Sequence, residues 1–459
     1  KDLEFAMQME NIEEMPFSHT AWIKTKNEID EVLAYNKNDV VATKLFLEAT
    51  LGLTQYSQYK GKNKINLRSE LSKKFNIDCH NWPDVKIGEQ LMLTLYSRET
   101  NQSQWDVKNT KTERISIALK DCIPKWCDIK TKEFNNFLNL ISKTTLKKNE
   151  NFETSIIFHG IRFDFGLGGT HGCIKSGIYE SDDTYVIYDL DVSSLYPSIA
   201  KSLNLYPAHL GPEFTKLYSK FIEDRIAEKH KPKDKRDQVL IEGYKLILNG
   251  TYGKSNEETS FLYDSLYTYK TTIGGQLFIA MWAERMVEAV PNLEFMQINT
   301  DGITIRLKRT DVDKIKEVCS QLTKETTLEI EDAYYSKMII KDVNNYIGVY
   351  ENSTKDNEHI KLKGVFVDDV EYHQNSSMKI VPIALKNYFV YNIPIENTIR
   401  NHKNIYDFCL RLKLNSSSIG EWHSIDKDII KITKLNRTTR YFISKKGGGL
   451  VVYYNGSKS

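Results

Sequence analysis

The chain has 459 residues, which is too long for one compact core. Hydrophobic residues make up 40% of it and charged residues 27%, a composition that is ordinary for a soluble globular protein. No apolar run reaches the length of a membrane-spanning helix, so we expect a cytoplasmic protein with no membrane partner. The net charge of +2 does not by itself require a nucleic-acid partner. The six cysteines lack metal-ligand spacing and predict reduced thiols, and a first residue of Lys1 suggests part of a longer chain.

The first 150 residues contain one clear helical pattern. Apolar residues recur at helical spacing in EIDEVLAYNKNDVVATKLFLEA, residues 28–49, which predicts a helix there. Residues 51–150 are polar and rich in Lys and Asn, and we interpret them only as a linking region.

Strand patterns dominate the next forty residues. The segment SIIFHGIRFDFGLGGTHGCIKSGIY, residues 155–179, contains strand-like runs interrupted by glycines. A further strand in DTYVIYDLDV, residues 183–192, ends at Asp191, and Asp189 lies on the same side because side chains alternate along a strand. A buried strand would not be expected to carry two carboxylates there.

Two helices follow. The first begins at Pro212, a favoured first helical position, and stops before Pro232. The second runs from about Asp234 to Tyr252 and ends at Gly253, a common helix terminator. Only Lys-Pro-Lys separates them, so we expect an antiparallel helical hairpin.

The remaining chain mixes strands and helices. EFMQINTDGITIRL, residues 294–307, predicts two short strands around a tight turn at Asn299–Gly302, and a helix over 311–325 follows. The segment 427–446 is basic, with Lys427, Lys431, Lys434, Arg437, Arg440, Lys445 and Lys446 against one acid, Asp428. Such a segment suits a phosphate backbone, and a solvated charged face explains it equally well.

Two aspartates are candidate metal ligands. Asp191 and Asp301 each lie at a strand end beside a turn, where side chains can reach a cleft. Neighbouring carboxylates repel unless a cation lies between them, and two Mg²⁺ ions can assist phosphoryl transfer. For either residue alone, capping of a turn is the better explanation.

One face of the second predicted helix suits a nucleotide. Lys245, Asn249 and Tyr252 share that face, which Gln238 and Ile241 extend. Lysine can bind phosphate, and tyrosine can stack against a base. On the first helix Arg225 and Lys229 share a face and could bind the same triphosphate, although a charged outer surface is the simpler explanation for that pair.

Three motifs together resemble those of family B DNA polymerases. They are DVSSLYPS (191–198), KLILNGTYG (245–253) and NTDG (299–302), in the family's order. Weaker matches flank them. GLGGTHG (166–172) resembles a glycine-rich segment of phage members, and VNNYIGVY (343–350) and KLKGVF (361–366) resemble a primer–template-contacting region. AYNKNDV (34–40) resembles the third exonuclease motif.

The resemblance implies a role for each matching residue. Asp191 and Asp301, with the carbonyl of Val192, would hold two Mg²⁺ ions, for which Mn²⁺ can substitute. Tyr196 would lie beneath the sugar and exclude a 2′-hydroxyl. The triphosphate and base pair would be bound by Ser194, Leu195, Arg225, Lys229, Lys245, Asn249 and Tyr252. DNA would be contacted by Gly168, Gly169, Tyr346, Lys361, Lys363, Arg437 and Arg440, and Tyr35 and Asp39 would be an exonuclease remnant.

The implied fold is α+β, a right hand with an antiparallel-sheet palm, two-helix fingers and a mixed thumb. We expect an exonuclease-like remnant at 1–50, a linking region at 51–150, palm at 151–205 and 259–370, fingers at 206–258 and thumb at 371–459. Partners would be primer–template DNA, dNTPs and replication accessory proteins, in phage replication in the host cytoplasm. The short spacing between motifs predicts an ordinary primer rather than a terminal protein.

Two departures from the family pattern leave alternatives open. Asn299 replaces a usual Asp, and Gly302 replaces a usual Ser. A catalytically weakened scaffold that binds primer–template is therefore the second hypothesis, and a nuclease based on Tyr35 and Asp39 is a third. The first two acidic exonuclease motifs are absent from this sequence, so we expect no proofreading by this chain alone.

Overall fold

A computed structural model describes residues 2–7, 9, 12–13, 15–18, 20–53, 63–352, 359–369, 377–415, 417–426, 429–443, 445, 448–454 and 457–458. The helices are α1 Asp2–Ala6, α2 Lys26–Thr50, α3 Lys64–Phe75, α4 Asp84–Thr100, α5 Gln104–Lys108, α6 Lys132–Lys143, α7 Leu195–Ser202, α8 Pro212–His230, α9 Gln238–Lys254, α10 Ser265–Ala289, α11 Val312–Thr326, α12 Ile380–Tyr391 and α13 Ile395–Asn401. Within the described residues no helix combines the length and hydrophobicity needed to cross a membrane.

The strands are β1 Ser116–Ala118, β2 Thr145–Lys147, β3 Glu153–Phe158, β4 Ile161–Gly166, β5 Gly169–Cys173, β6 Gly177–Glu180, β7 Tyr185–Val192, β8 Glu294–Ile298, β9 Gly302–Lys308, β10 Ile330–Asp342, β11 Asn345–Tyr350, β12 Ile360–Leu362, β13 Leu410–Lys413, β14 Ser418–Asp426, β15 Ile429–Lys434, β16 Thr438–Tyr441, β17 Gly449–Tyr454 and β18 Ser457–Lys458. The predicted strands of the segments 155–179, 183–192 and 294–307 are confirmed.

The chain divides into two compact units. One combines Lys1–Ile65 with Val365–Ser459, and the other is Asn66–Gly364. The first unit contains α2, which confirms the helix predicted at 28–49, and small antiparallel sheets formed by β13–β18. In this unit the hydroxyl of Tyr406 donates to the carbonyl of Met9 at 2.7 Å.

The second unit is built around an antiparallel sheet. Among the described residues ten strands join it, nine of them in the order β12-β11-β10-β7-β9-β8-β5-β4-β3, with β6 paired to β10. Strand β7, which carries Asp189 and Asp191, lies between β9 and β10 in the interior of the sheet. The predicted combination of helices with an antiparallel sheet is confirmed.

Helix α10 is the main core element of the second unit and was not predicted. Trp282 and most of its other side chains, polar ones such as Thr271 and Gln276 included, are buried on nearly all sides of the helix. A β-carbon added at Gly275 would lie 3.1 Å from Leu195, and one at Gly274 would lie 3.2 Å from Ile199. These glycines therefore let α7 pack closely against α10.

The helical hairpin is confirmed, but its second helix starts later than predicted. Helix α9 begins at Gln238 because the Asp237 side chain accepts from the backbone N–H of Leu240 at 3.0 Å. A separate turn of 3₁₀ helix at Lys233–Lys235 fills the connection, so the link is longer than Lys-Pro-Lys. The helix continues through Gly253 to Lys254, so this glycine is not the terminator that the sequence suggested.

Residues 64–108 form helices that were not predicted. Helix α4 packs against α9 so closely that a β-carbon at Gly88 would lie 2.2 Å from the carbonyl oxygen of Leu246. Most of the apolar side chains of α4 are buried. Helix α4 thus supports the second helix of the hairpin. It was not predicted because the average composition of its segment is polar, although one face of the helix is buried.

Candidate active site

The two acidic residues paired by the sequence analysis lie on adjacent strands. Strand β7 runs antiparallel to β9 with Asp191 opposite Gly302, and the backbone N–H of Val192 donates to the carbonyl of Asp301 at 2.7 Å. Asp191 and Asp301 both line one cavity of about 220 Å³. Strand pairing therefore brings carboxylates from distant parts of the chain to one site.

The carboxyl of Asp191 is poorly suited to carrying its charge alone. Desolvation by the surrounding protein, and next the carboxylates of Asp301 and Asp189, raise its pKa to about 7, whereas the Lys361 ammonium opposes the rise. The Asp191 residue is nevertheless exposed, so its desolvation is incomplete. The repulsion from Asp301 and Asp189 is the contribution that a bound cation would remove.

Oxygen ligands for a divalent cation are present in this cavity. Mg²⁺ in proteins takes one or two carboxylates together with water and substrate phosphates, and Asp191 and Asp301 supply two. Among the described residues there is no group of three or more His, Cys, Asp or Glu side chains suited to a metal. Two carboxylates leave most of the octahedral shell of Mg²⁺ to water or to substrate oxygens.

The turn that carries Asp301 requires glycine at the next position. The backbone N–H of Asn299 donates to the carbonyl of Gly302 at 2.8 Å, which closes a tight hairpin, and Asn299 lines the same cavity. A β-carbon at Gly302 would lie 2.6 Å from the carbonyl oxygen of Leu190 and 3.1 Å from the Asp191 carboxylate. Glycine at this position lets β9 approach the carboxylate-bearing end of β7 closely.

The start of α7 carries a second set of predicted residues. Ser194 has a left-handed backbone conformation with φ of 53°, and helix α7 begins at Leu195. Arg225 of α8 donates to the Ser194 hydroxyl at 2.5 Å, and its Nε has no hydrogen-bond partner among the described residues. A guanidinium beside the N–H groups of a helix start favours an anion.

Three predicted residues from different elements meet at Tyr196. The centroid of its ring lies 4.4 Å from the centroid of the Tyr252 ring. The Tyr196 hydroxyl donates to the carbonyl of Gly168 at 2.5 Å. Burial raises the pKa of Tyr196 to about 12, so the phenol is neutral at ordinary pH. This hydrogen bond and ring contact hold the Tyr196 side chain in one orientation.

The glycine-rich turn also contacts the hairpin that carries Asp301. Gly169 has φ of 154°, and a β-carbon there would lie 2.5 Å from the Thr300 hydroxyl. His171 makes a hydrogen bond of 3.3 Å with that same hydroxyl. Thr300 directly precedes Asp301, so Gly169 allows a close contact between the two turns.

The predicted nucleotide face of α9 is only partly as expected. Lys245 and Asn249 are exposed, and Tyr252 is half-buried, but Ile241 is buried with 8% of its surface exposed. Ile241 therefore belongs to the packed side of the helix, because helical spacing alone does not show where the buried face ends. On α8 the Lys229 ammonium lies 3.3 Å from the carboxylate of Glu331.

Sequence reasoning left Asp189 without a role, and the structure gives it partners. Tyr346, Lys361 and Lys363 line the same cavity as Asp189 and the paired aspartates. Lys361 lies 3.2 Å from the Asp189 carboxylate and over the Tyr346 ring, 5.9 Å from its centroid. The alternation of side chains placed Asp189 on the correct face, but its partners come from distant strands.

The other predicted residues belong to the first unit. Tyr35 and Asp39 lie one turn apart on α2, where burial and the Asp39 carboxylate raise the pKa of Tyr35. Arg440 is half-buried, with its guanidinium 4.2 Å from the centroid of the Phe5 ring, whereas Arg437 is exposed. Within the basic segment, Lys427, Asp428 and Lys446 lie outside the described residues.

Comparison with known proteins gives structural similarity without a sequence match. No family model matches the sequence, and no curated protein matches it. Among solved structures, the chain is similar to a family B DNA polymerase from the hyperthermophilic archaeon Pyrobaculum calidifontis, with 14% sequence identity and a TM-score of 0.41. The similarity covers 86% of this chain and 47% of the archaeal chain, so this chain spans about half the length of that polymerase.

Proposed function

We propose that this chain is a DNA-directed DNA polymerase of the family B type, which extends a primer 3′-hydroxyl with dNTPs. The observation that carries the proposal is the convergence of Asp191 and Asp301 on one cavity, with Lys361 and Lys363 in its wall. The three sequence motifs supply those carboxylates and the residues around Tyr196. Phage replication in the host cytoplasm is the setting that the motif resemblance favours.

The proposed right hand follows the order of the motifs. The sheet strands within 151–205 and 259–370 would be the palm, the hairpin of 206–258 the fingers, and 371–459 the thumb. The contact of Tyr252 with Tyr196 supports this assignment, because the fingers must reach the nucleotide over the palm.

The residues of the cavity would work mainly by position and charge. Asp191 and Asp301, with the Val192 carbonyl, would hold Mg²⁺. When bound, the two Mg²⁺ ions would neutralise phosphate charge and favour the ionised primer hydroxyl. The cationic side chains of Arg225, Lys229 and Lys245 would orient the triphosphate for in-line attack of the primer 3′-hydroxyl at its α-phosphorus, with pyrophosphate as the leaving group.

The nucleotide itself would be held by the α7 start and by α9. Free N–H groups of Ser194 and Leu195 would donate to triphosphate oxygens. Asn249 and Tyr252 would line the nascent base pair, and Tyr196 would lie beneath the sugar. The Tyr196 ring would leave no room for a 2′-hydroxyl.

Primer extension tests the proposal. The wild-type protein, with a labelled primer annealed to a longer template, Mg²⁺ and dNTPs, should add nucleotides one at a time in the order that the template specifies. With a single dNTP, extension should stop at the first template position that requires another. Binding without incorporation would support a weakened scaffold, which the Asn299 substitution motivates, and shortening of the strand would support a nuclease.

Substitution of Tyr196 tests the sugar filter. Tyr196→Ala should raise the ratio of ribonucleotide to deoxyribonucleotide incorporation by about tenfold to a hundredfold, because removing the ring opens space for the 2′-hydroxyl. Tyr196→Phe is the matched control, since it loses only the hydrogen bond to Gly168 and keeps the ring. Single-nucleotide kinetics give the ratio, and equal ratios for wild type and Tyr196→Ala would contradict the filter.

A further inference from the structure

Asp189 is the centre of a hydrogen-bond network beside the proposed active site. One of its carboxylate oxygens accepts from the Thr304 hydroxyl at 2.6 Å. The other accepts from the Tyr335 hydroxyl at 2.9 Å and from the Lys361 ammonium at 3.2 Å. These three donors lie on β9, β10 and β12, so the network joins strands across the sheet.

The ion pair within this network is shielded from solvent. The Asp189 side chain is 15% exposed and that of Lys361 is 27% exposed. Gly348, opposite Lys361 on β11, leaves room for Tyr335, because a β-carbon there would lie 2.7 Å from the Tyr335 ring. The sheet is therefore shaped to bring the Tyr335 hydroxyl and the Lys361 ammonium to one carboxylate oxygen.

Lys361 shares its cavity with two other carboxylates. Asp191 and Asp301 line the same space, and either could attract a free ammonium. A lysine side chain is flexible, so without a fixed partner Lys361 would form an internal ion pair with them. Such a pair would withdraw the ammonium from any ligand and would occupy the oxygens proposed to bind the cation.

We propose that Asp189 is a positioning residue that holds the Lys361 ammonium at the wall of the cavity, away from Asp191 and Asp301 and available to primer–template DNA. The inference rests on the proposed function, because it takes primer–template DNA as the ligand. One ammonium proton meets Asp189 and the Tyr346 side chain is a second neighbour, so a remaining N–H is left for an oxygen or nitrogen acceptor of the bound DNA.

A double-mutant cycle on DNA affinity tests this role without catalysis. Primer–template binding is measured in EDTA for the wild type, Asp189→Asn, Lys361→Met and the double variant. Asn keeps the size of the side chain and one acceptor oxygen, its amide NH2 can donate to the hydroxyl oxygen on the other side, and the negative charge is removed. Each single variant should weaken binding by about tenfold to a hundredfold, the range expected for a lost hydrogen bond to a charged group, and the double variant no further.

A neighbouring carboxylate supplies the matched control. Asp332 on β10 accepts from the Tyr188 hydroxyl at 2.8 Å and does not line the cavity. Asp332→Asn should therefore leave DNA affinity unchanged. If Asp189→Asn unfolds below the assay temperature, Tyr335→Phe replaces it, since the Tyr335 hydroxyl fixes the orientation of the Asp189 carboxylate that pairs with Lys361. It should weaken binding when Lys361 is present and have no effect in Lys361→Met.

Unchanged affinity in Asp189→Asn or Lys361→Met, or additive losses in the double variant, would overturn the positioning role. Failure of the role and failure of the proposed function are distinguishable. A wild type that shows the predicted cycle but extends no primer loses the polymerase assignment and keeps the positioning role. If the wild type extends primers while Asp189→Asn binds DNA normally, the polymerase assignment stands and the positioning role is lost. Absence of DNA binding by the wild type overturns both.

Discussion

Asp191→Asn and Asp301→Asn should each reduce primer extension by at least about a thousandfold, because each removes half of the negative charge proposed to hold the cation. Asn keeps the size of the side chain and a neutral oxygen, so the change is confined to charge. Steady-state incorporation of one nucleotide measures the effect. Activity above about a tenth of the wild type in either variant would contradict the two-carboxylate site.

The same variants should not be destabilised, which separates a binding site from a structural role. Repulsion among Asp191, Asp301 and Asp189 contributes to the raised pKa of Asp191, so removal of one charge relieves it. We expect equal or higher melting temperatures in metal-free buffer. Asp313→Asn, on the exposed surface of α11, is the control and should leave activity unchanged. A lower melting temperature with lost activity would favour a structural role for the pair.

Asp264→Asn should lower the free energy of unfolding by about 3 kcal/mol, because it leaves Arg114 without its charged partner in a largely buried position. Arg114 donates to both oxygens of Asp264, at 2.7 and 3.0 Å, and the Asp264 side chain is 2% exposed. The same carboxylate accepts from the backbone N–H groups of Ala208 and Leu266, and so joins the start of α10 to the preceding chain. Chemical denaturation measures the loss.

The pH dependence of this loss has a definite sign. Burial opposes the charge of Asp264, but Arg114 and the backbone N–H of Ala208 outweigh it, so its pKa is lowered in the folded state. The ionised carboxyl therefore stabilises the fold at any pH above its pKa in the unfolded chain, which is about 3.9. This stabilisation is lost as the pH falls through the lower pKa that the carboxyl has in the folded protein. The difference between wild type and Asp264→Asn should therefore be constant near neutral pH and shrink below about pH 4.

An exposed ion pair serves as the control for Asp264. Arg162 and Asp164 lie 2.6 Å apart with side chains 66% and 51% exposed. Asp164→Asn should cost less than about 1 kcal/mol, because solvent screens the pair. Equal losses for Asp164→Asn and Asp264→Asn would show that burial does not determine the strength of these pairs.

Local patterns predicted the elements that carry the proposed active site. The strand ending near Asp191, the turn before Gly302 and the helix beginning at Pro212 appear as predicted, because alternation, turn residues and a helix-starting proline act within a few residues. The start of α9 was misplaced by a few residues, since the capping hydrogen bond of Asp237 competes with a longer helix. Helix α10 was missed because a helix buried on nearly all sides has no continuous polar face to reveal its period.

The residue types at the candidate site and their order along the chain follow from the sequence: two carboxylates at strand ends, a tyrosine in a strand-to-helix turn, and cations on two helices. Their meeting at one cavity, and the partners of Asp189, depend on the pairing of β7 with β9 and β10 and on Lys361 reaching across from β12. Contacts between strands far apart in sequence leave no trace in local periodicity, because periodicity records which face a side chain occupies and not what lies opposite it.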